Sequence, residues 1–520
     1  MLIKVIFLVC FFTIMVLVGV YSRKHATNVG DFVLGGRSVG PWLTAFAYGT
    51  TYFSAVVFVG YAGQFGWKYG ISATWIGIGN ALIGSLLAWV VLGRRTRVMT
   101  HHLKSTTMPD FFGSRYNSKS LKIVASAIAF IFLVPYTASV YNGLSRLFGM
   151  AFDIPFEACV IGMAVLTGIY VILGGYMATA INDLIQGIIM LFGIIAVVAS
   201  VLNNNGGFIE AIGKLAQFES DNPVTAGQPG VFASFFGPDP VNLLGVIILT
   251  SLGTWGLPQM VHKFYTIKNE KSIKAGTIIS TVFAIVISGG CYFLGGFGRL
   301  YDGDAIKVGG VLAYDAIVPH MLSSLSNVLV GIVIILVLSA SMSTLASLVM
   351  TSSSTLTLDF IKDNIVKNLS EKKQLLIMRI LIVCFIAVSV FIALDPPDFI
   401  AQLMSISWGA LAGSFLAPFL FGLYWKRVTR PAVWACFGSG VGITVASMII
   451  KKLEIAITIP FLKEIFMSPI NAGAFAMVVG LIIVPVVSIL TPKMEDKVVK
   501  DVFACYEETV TVHRKESIEE

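Results

Sequence analysis

The sequence predicts an all-α polytopic membrane protein with about 13 transmembrane helices, and three observations support this prediction. Apolar residues make up 56% of the 520 residues, whereas charged residues make up 12%, about half the share usual in soluble proteins. The mean hydropathy is +0.85, so more apolar surface is present than one soluble core could bury. Many apolar runs are also long enough to cross a bilayer.

The candidate spans follow one another along the whole chain, with boundaries good to a few residues. They fall at 2–22, 41–63, 71–93, 121–148, 156–177, 180–202, 242–262, 275–297, 325–355, 374–393, 398–424, 432–450 and 470–490. The run at 325–355 exceeds the length that a bilayer requires, so we expect it to tilt or to project beyond the membrane.

The first run could be a signal peptide or a retained helix. Residues Leu2 to Ser22 are long enough to span, and the basic pair Arg23 and Lys24 follows where a small-residue cleavage site would stand. We therefore expect a retained helix whose N-terminus lies outside the cell.

The distribution of Lys and Arg predicts the orientation, because membrane proteins concentrate these residues in cytoplasmic loops. With the N-terminus outside, 25 of the 36 basic residues fall in inward segments, Lys263 among them, and nine fall outside. The other two, Lys122 and Arg379, lie at span ends beside inward loops. An odd number of spans then places the C-terminus in the cytoplasm, and we expect a multi-pass protein of the cell membrane.

Composition and motifs argue against several function classes. The net charge of +8 reflects loop placement and does not indicate nucleic-acid binding. The six cysteines are scattered without a C-x-x-C pair, so we expect neither disulfides nor a metal site built on them. The pair His101-His102 lies in a basic loop without acidic or cysteine partners at metal spacing, and no catalytic motif occurs in a supporting context, so we do not expect an enzyme.

Two spans depart from the uniform apolar pattern of a lipid-facing helix. The second span has a polar cluster around Gly49 at mid-membrane depth, and the seventh has Gly and Thr at mid-depth before Gly256 and Pro258. Unwound backbone inside a bilayer is tolerated where it lines a cavity or faces protein. Two interrupted spans five helices apart are typical of an inverted five-plus-five repeat with its substrate near the midplane. Ordinary packing of small residues between helices is the alternative.

The ninth span carries a dense run of hydroxyl side chains. Residues 340, 343, 344 and 347 share one helix face by their spacing. A Na⁺ ion needs several oxygen ligands to replace its water, and hydroxyls beside freed carbonyls can supply them. For this run taken alone, helix–helix packing by small residues is the favoured explanation.

Asp183 lies in the apolar part of the chain, near the cytoplasmic end of the sixth span. An ionisable residue at membrane depth is a functional hypothesis by default. The alternative is an acid near a helix N-terminus, where the macrodipole favours it.

Four of these segments together resemble the sodium/solute symporter family, which includes sodium/proline, sodium/pantothenate and monocarboxylate symporters. The segments occur in the family's order and at spanning depths, and the resemblance covers nearly the whole chain. They are Phe32–Gly40, Gly174–Gly187, Ser341–Leu345 and Phe421–Arg427.

The resemblance implies a leucine-transporter-type core of five-plus-five inverted repeats, preceded by one extra helix. It also implies a sodium site with hydroxyl ligands from Ser343 and Thr344 and carbonyl ligands from Ala340, Thr50 and Phe53. By the same match, Asp183 lies near the sodium exit path and Arg37 near the cytoplasmic gate.

The expected domains follow from this repeat. Residues 1–40 form the extra helix and a cytoplasmic loop, residues 41–240 the first repeat with an extracellular loop, and residues 241–430 the second repeat. Two peripheral helices at 431–492 and a cytoplasmic tail at 493–520 complete the chain.

The residues that would identify the solute depart from the proline-symporter pattern. Tyr52 replaces an Asp of that symporter, and Thr250 and Thr254 replace a Trp and a Tyr, whereas Tyr136 matches. Other segments resemble the pantothenate and monocarboxylate transporters more closely; they are Thr51–Ala55, Lys68–Gly70 and Gly256–Pro258. We therefore expect a small carboxylate-bearing solute, which could be pantothenate, a monocarboxylate or an amino acid such as proline.

The sequence thus predicts a sodium-coupled symporter that imports this solute by alternating access. We expect the solute to bind around Tyr52, Tyr136, Thr254 and Trp255, with Na⁺ as coupling ion and without an organic cofactor. The expected partners are the solute, Na⁺ and the bilayer, and a monomer is one open possibility. A proton-coupled symporter of the same fold, or a transporter-like sensor acting with a separate kinase, are the alternatives.

Overall fold

The structure is a computed structural model that describes residues 2–22, 28–152, 155–223, 225–308, 310–366, 369–395 and 400–507. Of the basic residues used to predict the orientation, Arg23, Lys24, Lys367, Arg514 and Lys515 lie outside these ranges.

The described chain folds almost entirely into helices. The first half contains α1 Leu2–Ser22, α2 Val29–Leu34, α3 Pro41–Tyr52, α4 Ala62–Tyr69, α5 Thr74–Gly79, α6 Arg94–His102, α7 Met108–Arg115, α8 Lys119–Phe152, α9 Phe156–Asn204, α10 Phe208–Leu215, α11 Pro240–Leu252 and α12 Pro258–Tyr265. The second half contains α13 Lys271–Ala284, α14 Gly290–Gly295, α15 Tyr314–Ser323, α16 Asn327–Thr355, α17 Glu371–Leu394, α18 Ile400–Tyr424, α19 Arg430–Lys452, α20 Pro460–Phe466, α21 Pro469–Leu490 and α22 Asp496–Phe503. Strands β1 Lys307–Val308 and β2 Val311–Leu312 pair antiparallel.

Helices of spanning length make up most of this structure, as the sequence predicts. Within the described ranges, ten helical segments are long and apolar enough to cross a membrane, or up to eleven when the bent pair α11 and α12 counts as one span. Two of the expected spans fall short of that test because α3 has 12 residues and the apolar segment Phe156–Ile169 is also short. The expected number of 13 therefore remains a prediction.

The expected fifth and sixth spans form one helical run, α9, rather than two helices separated by a loop. The helical geometry is interrupted at Gly175, which has φ 58° and ψ −159°. Only glycine adopts this conformation without strain, and a Cβ atom there would also lie 3.1 Å from the carbonyl oxygen of Phe32. The Gly174-Gly175 pair thus interrupts the helix without a separate loop between the two expected spans.

Helix α4 packs against α14 through backbone contact. A Cβ atom at Gly66 would lie 2.0 Å from the Gly295 carbonyl oxygen, and one at Gly295 would lie 2.1 Å from the Ala62 carbonyl oxygen. Small residues permit such close approach of helices in membranes. Helices α4 and α14 therefore have no room to carry side chains at these positions.

Several segments that were expected to be loops are ordered. The basic segment after the third span continues as helix α6, so the expectation that His101 and His102 lie in a loop is wrong. The expected loop at 203–241 contains α10, and the tail contains α22. His102 Nε2 lies 2.9 Å from the Asp501 carbonyl oxygen, so α22 contacts α6.

Candidate functional site

The first break in a span lies between α3 and the helix that continues towards α4. Phe53 has an extended conformation, with φ −109° and ψ 97°, and the Ser54 carbonyl accepts hydrogen bonds from the N–H groups of Val57 and Phe58. The polar cluster predicted an interruption around Gly49, but α3 continues through that residue to Tyr52. The break therefore comes four residues later.

The second break lies between α11 and α12, which are bent by 41°. A 3-10 turn at Gly253–Trp255 follows α11, and α12 begins at Pro258. A Cβ atom at Gly256 would lie 2.8 Å from Ala412 Cα, so α18 lies directly behind the turn. Both breaks occur in the spans that the sequence predicted to be interrupted.

Hydroxyl groups of α16 meet the end of α3 beside the first break. Ser343 Oγ donates a hydrogen bond of 2.8 Å to Thr50 Oγ1. Thr344 Oγ1 lies 3.1 Å from the carbonyl oxygens of Ala340 and Thr51 and 3.4 Å from that of Thr50. We call these five residues the sodium cluster.

The chemistry of the sodium cluster fits a small hard cation. Three carbonyl oxygens compete for the single hydroxyl proton of Thr344, so oxygen lone pairs remain available in a buried position. Na⁺ prefers such oxygen donors. Of the predicted ligands, the structure brings Thr50, Ala340, Ser343 and Thr344 together. Among the described hydrogen bonds none joins the Phe53 carbonyl to them, whereas the unpredicted Thr51 carbonyl does make a contact.

A buried ion pair lies beside the sodium cluster. The Asp183 carboxylate of α9 faces Lys263 of α12, with 3.8 Å between Oδ2 and Nζ, and both side chains are 1% exposed. Lys263 Nζ donates a hydrogen bond of 2.9 Å to Ser347 Oγ, which lies 2.9 Å from Thr51 Oγ1. The sequence predicted Lys263 in an inward loop, and this is wrong because α12 extends to Tyr265.

Arg37 lies at the end of the molecule where α6 and α12 also end. Its guanidinium donates hydrogen bonds to the carbonyl oxygens of Tyr265 at 3.3 Å, Thr100 at 3.3 Å and Ser105 at 2.6 Å. Three consecutive residues, Gly35, Gly36 and Arg37, have φ between 53° and 62°, which explains the two glycines of this motif. Burial in this position lowers the pKa of the Arg37 guanidinium.

A second ionic cluster lies at the Arg37 end. Lys122 Nζ of α8 lies 2.8 Å from Asp110 Oδ1 and 3.4 Å from Asp359 Oδ1. Asp359, 1% exposed and beyond the end of α16, also accepts a hydrogen bond from Thr107 Oγ1. The cluster connects α7, α8 and the segment after α16.

Aromatic side chains lie around the two breaks, on the side of the sodium cluster away from the Arg37 end. The Trp408 ring of α18 lies between Tyr52 and Tyr136, with centroid distances of 6.2 Å and 6.0 Å. Tyr52 donates a hydrogen bond of 2.6 Å to the Thr250 carbonyl. The Trp408 indole N–H is fully buried and lies beside the Tyr136 hydroxyl.

Thr254 and Trp255 bond to the neighbouring span rather than to the two tyrosines. Thr254 Oγ1 lies 3.2 Å from the Gly84 carbonyl oxygen, and Trp255 Nε1 donates to the Ile83 carbonyl at 3.0 Å. Of the predicted solute residues, Tyr52 and Tyr136 therefore converge on Trp408, while Thr254 and Trp255 line the turn of the second break.

Cavities differ between the two ends of the molecule. Near Lys263, Ser347 and Tyr176, a cavity of about 10 Å³ is barely large enough for one water molecule. At the opposite end, a cavity of about 480 Å³ lies beside Lys68, Tyr314 and Asn471. The described residues around Lys263 therefore leave room for about one water molecule in this cavity.

A sequence profile described as "Sodium:solute symporter family" matches residues 32–442, which is most of the chain. This chain belongs to the sodium:solute symporter family. The match includes both broken spans and the sodium cluster. It extends beyond the four segments on which the resemblance was first noted.

Relatives of this symporter-family chain are similar over nearly their whole length. The sodium/proline symporter of Staphylococcus aureus (strain JH9) is 29% identical over 511 residues, which cover 95% of this chain and 93% of that relative. A solved Na⁺-coupled sialic acid symporter, substrate-bound and outward-open, has a TM-score of 0.74 at 18% identity and covers 95% of this chain and 98% of its own. Mhp1, a nucleobase-cation-symport-1 family transporter in a closed conformation, has a TM-score of 0.50 at 14% identity, with coverage of 91% and 97%.

Membership of the sodium:solute symporter family confirms the main predictions from the sequence. The chain is a multi-pass membrane transporter with a leucine-transporter-type fold, and its family couples transport of a solute to Na⁺. Besides Thr51, two residues at the candidate site of this symporter, Trp408 and Lys263, were not predicted. A polar signal at Gln402, Ser405 and Ser407 precedes Trp408 in an apolar span and could have indicated it, whereas Lys263 gave no signal distinct from an ordinary loop lysine.

Proposed function

We propose that this chain imports a small carboxylate-bearing solute together with Na⁺ by alternating access. The contact of Ser343 and Thr344 with the carbonyl end of α3 is the observation that supports this most directly. It places an oxygen-rich, buried cluster at the break of a span, where a cation can influence how the two halves of that span are arranged.

In this proposal Na⁺ binds the oxygens of the sodium cluster and holds α3 against α16. Replacement of hydroxyl-to-carbonyl contacts by ion-to-oxygen contacts would stabilise the break in one arrangement and so order the adjacent solute site. The membrane potential contributes about 2.3 kcal/mol per elementary charge for each 100 mV, so one Na⁺ can drive substantial accumulation of solute.

The proposed solute site lies between Tyr52, Tyr136 and Trp408, next to the turn formed by Thr254 and Trp255. The buried Trp408 N–H could donate a hydrogen bond to a carboxylate of the solute. The aromatic rings favour a compact body with apolar carbon atoms. Pantothenate, a monocarboxylate or an amino acid such as proline, the solute named for the staphylococcal relative, is compatible with this chemistry.

Release to the cytoplasm requires the Arg37 end to open. Arg37 joins the end of α12 to the end of α6 and the turn after it by hydrogen bonds to three carbonyl groups, and Asp183 lies in the buried ion pair beside the sodium cluster. In the proposal these two residues act at the gate and along the sodium path, respectively.

The proposed orientation places the Arg37 end and the C-terminus in the cytoplasm and the N-terminus outside the cell membrane. The inverted repeats would comprise residues 41–240 and 241–430, after the N-terminal segment 1–40. The segment 431–492 would be peripheral, with a tail at 493–520. The preponderance of Lys and Arg at the Arg37 end supports this orientation.

Uptake into proteoliposomes tests the proposed function. Labelled proline, pantothenate and lactate are each offered with an inward Na⁺ gradient, with an equal K⁺ gradient, and with an inward proton gradient in the absence of Na⁺. We expect at least one solute to accumulate with Na⁺ alone. Equal uptake with Na⁺ and K⁺ for every solute would contradict the proposal, and accumulation driven by protons alone would favour the proton-coupled alternative.

A further inference from the structure

Lys263 is a fixed positive charge buried next to a site that fits a cation. Its side chain is 1% exposed and lies on α12, directly after the second break. Charged side chains at membrane depth are costly and persist when they are paired and functional. The proposed sodium mechanism assigns a role to Asp183 but leaves its lysine partner without one.

The contacts of Lys263 connect both broken spans to α16. Its ammonium donates to Ser347 Oγ at 2.9 Å, and the same oxygen lies 2.9 Å from Thr51 Oγ1 at the end of α3. Thr51 in turn presents its carbonyl oxygen to Thr344, 3.1 Å away. Ser347 is therefore shared by α3 and α12, and two hydrogen bonds separate the ammonium from the sodium cluster.

The chemistry of an ammonium group resembles that of a small cation. Both carry one positive charge and both bind hydroxyl and carboxylate oxygens. The Lys263 ammonium lies beside the sodium cluster, 3.8 Å from Asp183 Oδ2 and 2.9 Å from Ser347 Oγ. The cavity beside it, about 10 Å³, leaves no space for a hydrated ion to pass while the ammonium remains there.

We propose that Lys263 is a positioning residue that acts as a tethered cation: it neutralises Asp183 and closes the inner sodium path, so that Na⁺ leaves the cluster only when this ammonium is displaced. The inference rests on the proposed sodium coupling and adds Lys263 as the residue whose charge opposes the binding of Na⁺. The fixed charge lowers the affinity of the cluster for Na⁺ and thereby allows release. When Na⁺ has left, the ammonium again pairs with Asp183, which prevents passage of Na⁺ without solute.

The proposal predicts shifts of opposite sign for the two partners. Lys263→Gln leaves the Asp183 charge without its partner, so the affinity for Na⁺ should rise about tenfold. Asp183→Asn leaves the ammonium without its partner, so the affinity should fall about tenfold. The double variant, Lys263→Gln with Asp183→Asn, is balanced in charge and should bind Na⁺ within about threefold of the unmodified chain. The affinity of Lys263→Arg for Na⁺ should remain close to that of the unmodified chain.

Direct binding of radioactive sodium to the purified full chain, measured by equilibrium dialysis, distinguishes these outcomes. Lys268→Gln is the matched control, because Lys268 lies five residues further along the same segment and is exposed. Unfolding midpoints are measured for all variants, since a purely structural role would lower stability in both single variants without moving the affinities in opposite directions.

The critical comparison is between Asp183→Asn and the double variant. The double variant carries no unpaired buried charge at this position, whereas Asp183→Asn leaves the ammonium of Lys263 unpaired. Equal affinity of these two would overturn the role of Lys263, even if Lys263→Gln alone does not fold. Saturable Na⁺ binding by the unmodified chain, combined with that equality, would refute the tethered-cation proposal and leave sodium coupling intact. Absence of saturable binding in the unmodified chain would overturn both.

Discussion

Ser343 of α16 donates a hydrogen bond of 2.8 Å to the hydroxyl of Thr50, which in turn donates to the Phe46 carbonyl within α3. This contact joins residues 293 positions apart in the sequence. It fixes α3, the first part of the first broken span, to the hydroxyl-rich face of α16. Any ion that binds between these helices must share or replace this hydrogen bond.

Replacement of Ser343 and Thr344 together by alanine should raise the sodium concentration required for half-maximal uptake by about tenfold or more, because two of the proposed oxygen ligands are lost. Uptake of the solute at a series of sodium concentrations measures this change. Ser341→Ala is the matched control, since the Ser341 hydroxyl bonds to the Val337 carbonyl of its own helix. An unchanged sodium requirement in the double variant would refute the assigned cluster.

Trp408→Leu should raise the KM for the solute about tenfold while the sodium requirement changes little, because the ring and its N–H face the two tyrosines rather than the sodium cluster. Initial rates over a range of solute concentrations at saturating Na⁺ give this value. Trp434→Leu serves as the control, because that side chain is 39% exposed on α19. A KM that does not differ from the control would place the solute elsewhere.

Arg37→Lys should make the Arg37 end open more readily, because one ammonium cannot replace the planar guanidinium that bonds to three carbonyl groups. A cysteine introduced at Ser354, beside the inner cavity, reports this opening. We expect thiol reagents to label it several-fold faster in the Arg37→Lys background, above the labelling of the six native cysteines.

The same measurement in Lys268→Gln provides the comparison for Arg37, because it removes an exposed positive charge at the same end. Equal rates in both variants would show that the three carbonyl contacts do not restrain opening.

Lys122→Met should lower the free energy of unfolding by about 3 kcal/mol, because it leaves the buried Asp359 carboxylate without its cationic partner. The change is followed as a lower midpoint of thermal unfolding in detergent. Lys214→Met removes an exposed ion pair with Glu210 and should cost less than about 1 kcal/mol. A midpoint no lower than that of the Lys214 variant would show that the cluster with Asp110 is not stabilising.

Hydropathy and spacing predicted the membrane fold, the interrupted spans and the shared face of residues 340, 343 and 344, whereas the resemblance to the family implied that these residues and Thr50 bind sodium. The first three features follow from local patterns, since a span needs a continuous apolar run and a helix face repeats every three or four residues. Where the breaks lie was harder to predict. Gly49 is helical and packs against the Phe283 ring, which is distant in the sequence, and the break comes at Phe53.

Local sequence patterns did not identify Lys263 and Trp408 as residues of the candidate site. A lysine after an apolar run has the properties of a loop residue, and its burial depends on Asp183, which lies 80 positions earlier and on another helix. Apart from the polar residues that precede it, Trp408 is marked by the two tyrosines that α3 and α8 bring to it. Both cases depend on tertiary contacts that one sequence does not reveal.

The glycine contact between α4 and α14 locates the joint of the first broken span. Because Gly66 and Gly295 leave no gap between the two backbones, α4 cannot slide along α14 without a collision. Helices α4 and α14 therefore form one rigid unit. We expect any bending of this span to occur at Phe53 and Ser54, where the helical geometry is interrupted.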